Sequence, residues 1–308
     1  MLPILLKTLP FFALIGLGWW AGRARFFTGE ATAALTRFVF YFALSAMLFR
    51  FAAGLSLAEL FNLRFVLAYL TGSLTVYLLT TAVAFTRRLP MAEAAVEAQC
   101  AVVGNVGFLG VPMLVVLLGA AAAGPVLMVL AIDLIVFSSL ITLIITASRH
   151  GRMGLDVIRA LALGLLRNPM IVSMAAGLIW SSSALTLPGP VDEFLAILGA
   201  AATPGALFAI GASLATKSAE RVSIAAWLSF AKLVLHPGAV AVAALWAFEV
   251  DPFAAGVMIS AAALPVAGNV YILAQHYGVA PHRASASILI STVASIVTVS
   301  AVIAWVTS

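Results

Sequence analysis

Charged residues are scarce in this chain of 308 residues, since aspartate, glutamate, lysine and arginine together make up 9% of it. Soluble domains average about 25% charged residues, whereas 64% of this chain is hydrophobic. This balance excludes a soluble globular protein and predicts an integral membrane protein. The formal net charge of +5 would suggest a nucleic-acid partner in a soluble chain. In a membrane protein, basic loop residues set the orientation instead, so we expect no nucleic-acid partner.

Cysteine is almost absent as well, because Cys100 is the only one. The chain therefore has no internal disulfide and no cysteine-based metal site. The His-Glu-x-x-His zinc motif is missing, and Gly211-Ala212-Ser213-Leu214 lacks the closing glycine of a serine-nucleophile elbow. Asp133 lies in an apolar segment without the second intramembrane aspartate that a catalytic dyad needs. We therefore expect no enzymatic activity, no cofactor and no bound metal.

Soluble domains and polar linkers are also lacking, and ten apolar segments fill the chain. Most of them approach the roughly 20 residues that a transmembrane helix needs, although segments 6 and 7 are shorter. Lys7 interrupts the first segment and no small-residue cleavage box follows, so we interpret it as a genuine span and not as a signal peptide. The sequence predicts an all-α integral membrane protein with ten transmembrane helices, called segments 1 to 10: residues 2–21, 31–51, 65–85, 94–118, 125–147, 169–182, 203–215, 224–248, 253–277 and 284–306.

The basic residues indicate how these segments are oriented. If the amino terminus lies outside the cytoplasm, 12 of the 16 lysines and arginines fall on the inner face, as the positive-inside rule favours. An even number of spans then places both termini of this multi-pass protein on the non-cytoplasmic side. Residues 149–167 carry four of these arginines among apolar residues, a pattern typical of a helix on the cytoplasmic surface. The 12 are Arg23, Arg25, Arg37, Arg87, Arg88, Arg149, Arg152, Arg159, Arg167, Lys217, Arg221 and Arg283.

Five segments precede the central basic stretch and five follow it. An odd number of spans in each half means that the halves enter the membrane from opposite sides, as inverted repeats do. Gly104-Asn105-Val106 matches Gly268-Asn269-Val270 at an offset of 164, and residues 43–49 resemble residues 202–208 at an offset of 159. We therefore predict a first five-helix repeat, a cytoplasmic basic linker and a second, inverted repeat over residues 1–147, 148–168 and 169–308.

Segments 4 and 9 carry helix-breaking residues in their middles. Residues 104–112 read Gly-Asn-Val-Gly-Phe-Leu-Gly-Val-Pro, and residues 264–270 read Leu-Pro-Val-Ala-Gly-Asn-Val. Each glycine weakens a helix by roughly 1 kcal/mol relative to alanine. Pro112 removes a backbone donor and is expected to push Val111 towards extended geometry, and Pro265 is expected to act in the same way. Because broken backbone at membrane depth must face protein or a water-filled cavity, two such breaks predict a transporter binding site.

Motifs spread over essentially the whole chain resemble the auxin efflux carrier family of membrane transport proteins, most of all its bacterial members described as malonate transporters. The most specific motif is the stretch at residues 104–112. The other motifs are Arg37-Phe38-Val39-Phe40-Tyr41, Asn168-Pro169, Ala209-Ile210-Gly211-Ala212-Ser213-Leu214, and Leu264-Pro265 with Asn269 and Gln275-His276-Tyr277-Gly278. Ser45 departs from the family pattern, which often has proline there, so we expect segment 2 to be straighter.

This resemblance implies a sodium/proton antiporter-like fold with two inverted five-helix repeats. In that fold the broken helices 4 and 9 cross. Helices 1, 2, 6 and 7 form a scaffold domain, and helices 3–5 and 8–10 form a transport domain that moves like an elevator. The resemblance also implies a location in a bacterial inner membrane.

The crossing of the two breaks is the predicted substrate site. Amino termini of half-helices carry about half a positive elementary charge each and bind anions, and Asn105 and Asn269 add amide donors. We expect a small organic anion there, a mono- or dicarboxylate such as malonate. The alternative is that these asparagines only satisfy backbone groups freed by the breaks. The predicted substrate-binding residues are Gly104, Asn105, Val106, Gly107, Pro112, Pro265, Val266, Gly268, Asn269, Ser45 and Met47.

A few polar residues lie far from the predicted loops. Asp133 is deep in segment 5, where a charged aspartate costs roughly 2.5–3.5 kcal/mol on insertion scales. It is either a proton- or sodium-coupling site or a hydrogen-bonded structural residue paired with Lys232. Lys232 either counters Asp133 or the substrate, or extends its amine to the interface. Gln99 is a further candidate for the transport path, and Glu93 and Glu97 are expected to form a solvated mouth at the inner end of segment 4.

These observations predict a secondary transporter of a small organic anion with an elevator-like alternating-access mechanism. A sodium-coupled bile-acid-type organic-anion symporter is the alternative within transport, and an anion channel is the alternative from another class, because a broken helix also lines pores. The expected partners are the anion and the lipid bilayer. Coupling to protons or sodium and association into a homodimer are left open beside a monomeric uniporter.

Overall fold

The computed structural model describes residues 2–55, 62–150, 155–183, 185–215 and 222–307. Within these ranges every regular element is a helix, and the isolated β-bridge that they contain joins Gly104 to Val266. The predicted all-α fold is therefore confirmed. Three basic residues used to predict the orientation, Arg152, Lys217 and Arg221, lie outside the described residues.

Among the described residues, seven helices are long and apolar enough to cross a membrane. The number is eight if Leu161–Arg167 and Pro169–Ser182, which meet at 71°, count as one span. Segments 4 and 9 contain shorter helices, so a total of ten crossings stays a prediction. The seven long helices occupy segments 1, 2, 3, 5, 7, 8 and 10: Ile4–Arg23, Gly29–Ala53, Leu63–Thr86, Ala120–Ser148, Gly189–Leu214, Val222–Ala247 and Pro281–Val306.

Segment 7 is longer than its apolar pattern predicted. Its helix starts at Gly189, whereas the sequence placed the start near residue 203. The extension contains Asp192, and a carboxylate is unusual in a membrane span, so the sequence did not indicate a helix there. The carboxylate is paired with Arg50 of segment 2 through two hydrogen bonds, of 2.6 Å from Nε and 3.1 Å from Nη2. Segment 2 itself is a continuous helix that contains one π turn, Val39–Ala43.

Segments 4 and 9 are both interrupted, as predicted. In segment 4 the helix Met91–Val102 ends, and the chain becomes helical again in Val106–Leu118. In segment 9 the helix Pro252–Ala262 ends, and Gly268–Tyr277 follows. The intervening residues, 103–105 and 263–267, touch each other through the Gly104–Val266 bridge.

The position of the first break differs from the prediction in one respect. Val111, expected to be extended before Pro112, is helical with φ −54° and ψ −54°. A π turn, Val106–Gly110, precedes it, and the Val111 N–H donates to the carbonyl of Val106. The π turn ends two residues before Pro112, and the chain continues from it into the α-helix Val111–Leu118 without a break at the proline. The break therefore lies at residues 103–105, upstream of the proline.

The helices pack into two groups. In the first group, segment 1 packs along segment 7, and segment 2 packs against segments 6 and 7. In the second group, segment 3 packs against segments 4 and 8, and segment 10 packs against segments 8 and 9. Segment 5 contacts segment 4 in this group. Contacts between the groups include those of segment 1 with segment 10.

Segments 1 and 7 approach each other closely because glycine lies at the contact. A Cβ atom on Gly18 would overlap the carbonyl oxygen of Phe208, and one on Gly211 would overlap that of Ile15. Gly16, two residues before Gly18 and exposed, has no atom within 4 Å of the corresponding position. The backbones of the two helices therefore touch at Gly18 and not at Gly16.

We expect Gly18→Ala to destabilise the protein by about 1–3 kcal/mol, because overpacking forces the two helices apart. Gly16→Ala is the matched control on the same helix. It should leave the melting temperature unchanged or raise it, because alanine favours the helix by about 1 kcal/mol. Thermal unfolding of the detergent-solubilised protein measures both effects. Equal melting temperatures for the two variants would contradict this packing.

Candidate functional site

A cavity of about 1360 Å³ lies between the two groups of helices. Segments 2 and 7 contribute wall residues from the first group, and segments 4, 5 and 9 contribute them from the second group. The cavity reaches exposed residues at the predicted cytoplasmic ends of helices, among them Arg37 and His276. Six residues of the predicted sites line it: Gly104, Asn105, Gly107, Asp133, Gly268 and Asn269.

The two breaks satisfy each other's backbone. The N–H of Asn105 donates to the carbonyl of Pro265 at 2.8 Å, and the N–H of Ala267 donates to the carbonyl of Val103 at 3.1 Å. The hydroxyl of Ser291 in segment 10 accepts from the N–H of Val266 at 3.1 Å. These three backbone N–H groups therefore need no help from the asparagine side chains.

The side chains of Asn105 and Asn269 form no hydrogen bond with the described part of the chain. Asn105 is 7% exposed, and no hydrogen bond from a described residue reaches its side-chain amide. The Oδ1 atom of Asn269 is buried and has no hydrogen-bond partner. Both residues line the cavity. Two polar amides thus face one space without a protein partner.

Two helices also begin at this cavity. Val106–Leu118 starts after Asn105, and Gly268–Tyr277 starts after Ala267, in both cases without a side-chain cap. The first N–H groups of a helix have no partner inside the helix, and the helix dipole adds positive potential there. This end of the cavity therefore suits an anion, although the breaks themselves carry no charged side chain.

Asp133 is a second polar feature of the cavity wall. Its side chain is 2% exposed, and it is the first residue of the π turn Asp133–Phe137 in segment 5. The Tyr69 hydroxyl donates to Oδ1 at 2.8 Å, whereas Oδ2 is buried without a partner. One oxygen is thus held by segment 3, and the carboxylate also lies within reach of the backbone N–H of Gly104 at the first break.

Lys232 lies behind the first break and is completely buried. Its Nζ donates to the carbonyl of Ala262 at 2.5 Å and is 3.0 Å from Nδ1 of His236. A Cβ atom on Gly104 would be 3.3 Å from this Nζ, so the glycine separates the lysine from the cavity. The alternative that Lys232 extends to the interface is wrong, because its amine is fixed at the end of the helix Pro252–Ala262. No ion pair within 4 Å joins Lys232 to Asp133.

The remaining predicted residues lie away from the cavity wall. Val106, Pro112, Pro265 and Val266 are buried around the breaks. Ser45 and Met47 belong to segment 2, where the Ser45 hydroxyl donates to the carbonyl of Phe40 and Met47 packs against Gly199. Gln99 is fully buried, and neither of its side-chain polar atoms has a partner.

The predicted solvated mouth at Glu97 is wrong. The Glu97 side chain is fully buried and forms ion pairs with Arg87 and with Arg283, the latter at 3.1 Å. Arg283 also pairs with the half-buried Glu93 at 2.8 Å. These four residues connect the ends of segments 3, 4 and 10. Arg87, ten residues away, and Arg283, 186 residues away, compensate the buried carboxylate, and the local pattern could not show the second of these partners.

Sequence reasoning missed three polar partners of the site, namely Tyr69, Ser73 and Ser291. Tyr69 and Ser73 are four residues apart, so they share one face of the helix in segment 3. Ser291 is one of several buried hydroxyl residues at helical spacing in segment 10. Such stripes were the available signal, and in an apolar helix they indicate a polar partner on the facing element.

Comparison with known proteins identifies relatives along nearly the full length. A family model described as "Membrane transport protein" matches residues 3–303. A protein of Rhizobium meliloti (strain 1021) named "Putative malonate transporter" is 33% identical over 297 residues, which cover 94% of this chain and 92% of the relative.

The geometry of the breaks predicts the effect of one hydroxyl. Ser291→Ala should destabilise the protein by about 1–3 kcal/mol, because the buried N–H of Val266 loses its acceptor. Ser295→Ala is the matched control, since Ser295 is equally buried in the same helix and bonds only to the carbonyl of Thr292. Thermal unfolding in detergent compares the two variants. A loss of the same size in both would show that the Ser291 hydroxyl does not support the break.

Proposed function

This chain belongs to the membrane transport protein family, and we propose that it is a secondary transporter of a small organic anion in a bacterial inner membrane. The substrate class is a mono- or dicarboxylate, with malonate as the first candidate because of the relative's name. The chain is a membrane transport protein and not an enzyme.

The observation that carries the proposal is the pair of asparagine amides at two uncapped helix starts. Backbone pairing between the breaks leaves Asn105 and Asn269 free for a ligand, which argues against a purely structural role. Amide donors and helix amino termini bind a carboxylate without a fixed cation. Such a site holds an anion with moderate affinity, and a carrier needs that because it must also release its substrate.

The mechanism that we propose is elevator-like alternating access. The cavity lies between two packed groups of helices, which correspond to the scaffold of segments 1, 2, 6 and 7 and the transport domain of segments 3–5 and 8–10. Both half-helix starts belong to the second group. The ion pairs of Glu97 with Arg87 and Arg283 tie segments 3, 4 and 10 together, so this group is suited to move as a unit.

The proposal includes ten crossings in two inverted repeats with both termini outside the cytoplasm. Its support is the order of features along the chain. The fourth segment of each half has a Gly-Asn-Val sequence next to its break, at residues 104–106 and 268–270. The breaks pair in antiparallel fashion, which is the relation expected of elements that enter the membrane from opposite sides.

The substrate site is tested by Asn105→Ala and Asn269→Ala. Losing a hydrogen bond to a charged group costs about 1.5–3 kcal/mol, so we expect the half-saturation concentration for malonate to rise roughly 10- to 100-fold. Counterflow of labelled malonate into proteoliposomes loaded with unlabelled malonate is the assay. Thr75→Val, on an exposed face of segment 3, is the control for purification and reconstitution of a variant protein, and it should transport malonate normally.

Malonate-dependent thermal stabilisation of the purified variants gives a second readout that does not depend on transport. It should weaken in both asparagine variants and stay unchanged in Thr75→Val. If both asparagine variants transport and bind malonate as the unchanged protein does, the site lies elsewhere. Conductive flux without counterflow would favour a channel.

Asp133 is the residue that we propose couples transport to an ion gradient. Asp133→Asn should lose malonate accumulation driven by a proton gradient and keep malonate exchange, because exchange needs no net proton movement. Asp251→Asn is the matched control, since Asp251 is exposed and caps the helix Pro252–Ala262, a role that asparagine fills equally well. Full gradient-driven accumulation by Asp133→Asn would exclude the coupling role.

A further inference from the structure

The carboxyl end of the helix Pro252–Ala262 is buried at the break of segment 9. Such an end carries about half a negative elementary charge, and its last carbonyls lack partners within the helix. In ion-coupled carriers, carbonyls at these ends and in unwound backbone coordinate the transported sodium. In this chain a lysine ammonium occupies the corresponding place, since Lys232 donates to the Ala262 carbonyl at 2.5 Å.

The hydrogen bonds around Lys232 are those that a charged amine can make. Nδ1 of His236 is 3.0 Å from Nζ of Lys232 and 3.2 Å from the Ala262 carbonyl, while Nε2 is 2.8 Å from the Ser73 hydroxyl. A carbonyl only accepts, and an ammonium only donates. A charged Lys232 that donates to both neighbours satisfies this pattern, with His236 neutral and its proton on Nε2, and the negative carboxyl end of the helix favours the charged amine over the neutral one. The Ser73 hydroxyl oxygen then accepts a hydrogen bond from the Nε2–H group of His236.

The counter-charge in this region is Asp133. It hydrogen-bonds to Tyr69, whose ring packs edge-on against His236 with 5.9 Å between centroids. Segment 3 thus contributes Tyr69 and Ser73, segment 5 contributes Asp133, segment 8 contributes the lysine and the histidine, and segment 9 contributes the carbonyl. One ammonium and one carboxylate make this buried cluster electrically balanced without a bound ion.

We propose that Lys232 is a tethered cation, which takes the place at the segment 9 break that an alkali ion would otherwise fill. The carrier therefore binds no sodium at this break and does not depend on sodium there. Lys232 acts on the substrate site through its proximity, because Gly104 lines the cavity and a Cβ atom on it would be 3.3 Å from the lysine Nζ. The inference rests on the proposed carrier function for its biological meaning, but cation binding is measured without any substrate.

Thermal unfolding of the purified protein in sodium, potassium or choline chloride at one ionic strength tests this proposal. The unchanged protein should show no sodium-specific rise in melting temperature. Lys232→Ala, which vacates the position beside the Ala262 carbonyl and leaves Asp133 without its counter-charge, should gain one. A ligand at roughly ten times its Kd would raise the melting temperature by about 2–4 °C.

Two further variants separate this effect from a general response to salt. Asp133→Asn in the Lys232→Ala background should abolish the sodium-specific rise, because the negative charge that attracts the cation is gone. Lys7→Ala removes a lysine that is exposed in segment 1 and should behave as the unchanged protein does. If Lys232→Ala does not fold, Lys232→Ser replaces it. The serine adds a hydroxyl ligand, and this variant should also gain a sodium-specific rise in melting temperature.

A sodium-specific stabilisation of the unchanged protein would overturn the tethered-cation proposal, whether or not any variant folds. Folded Lys232→Ala or Lys232→Ser protein without sodium-specific stabilisation would overturn it as well. Neither result affects the asparagine site, which is judged by malonate counterflow and malonate-dependent stability. Normal malonate binding together with sodium binding in the unchanged protein would thus leave the carrier standing and remove this inference alone.

Discussion

Every polar backbone group placed in a membrane must find a partner inside the protein, and this requirement shapes the centre of the molecule. Helices meet it by themselves, but residues 103–105 and 263–267 do not. Their solution is mutual, with Asn105 bonded to Pro265 and Ala267 bonded to Val103. Because each break serves as the partner of the other, neither is stable alone, and the contact between segments 4 and 9 is required by the chemistry of both.

This mutual pairing has a consequence for the side chains. If the asparagines had been needed to satisfy the breaks, they would have been consumed there, and a ligand would have had to displace them. Backbone pairing and the Ser291 hydroxyl form these hydrogen bonds with the breaks instead. The amides of Asn105 and Asn269 and two uncapped helix starts are therefore left at the cavity, where positive potential comes from dipoles and not from a charged side chain.

The buried charges follow a related rule. An isolated ion at this depth is expensive, and the cost falls when a partner of opposite sign or a set of hydrogen bonds accompanies it. Glu97 has two arginines as partners, which suits a rigid junction. Lys232 is held by a carbonyl and a histidine, and Asp133 keeps one oxygen unpartnered. The first arrangement is complete, whereas the second leaves one carboxylate oxygen without a hydrogen-bond partner among the described residues, on a side chain that lines the cavity.

The sequence predicted the parts of this centre that depend on local backbone chemistry. Glycine, asparagine and proline in the middle of apolar segments identified both breaks, and the paired Gly-Asn-Val identified the elements that meet. The wrong predictions concern charged side chains whose environment depends on residues in other segments. Asp192 lies within the helix of segment 7 because Arg50 pairs with it. Glu97 is buried because it pairs with Arg283, and the Lys232 amine is held by the carbonyl of Ala262. Pro112 marked the right segment but the wrong residue, since a π turn before it keeps Val111 helical and moves the interruption upstream. Asp192, Glu97 and Lys232 each have a partner in another segment, and their roles are therefore decided by the fold and not by their neighbours in sequence.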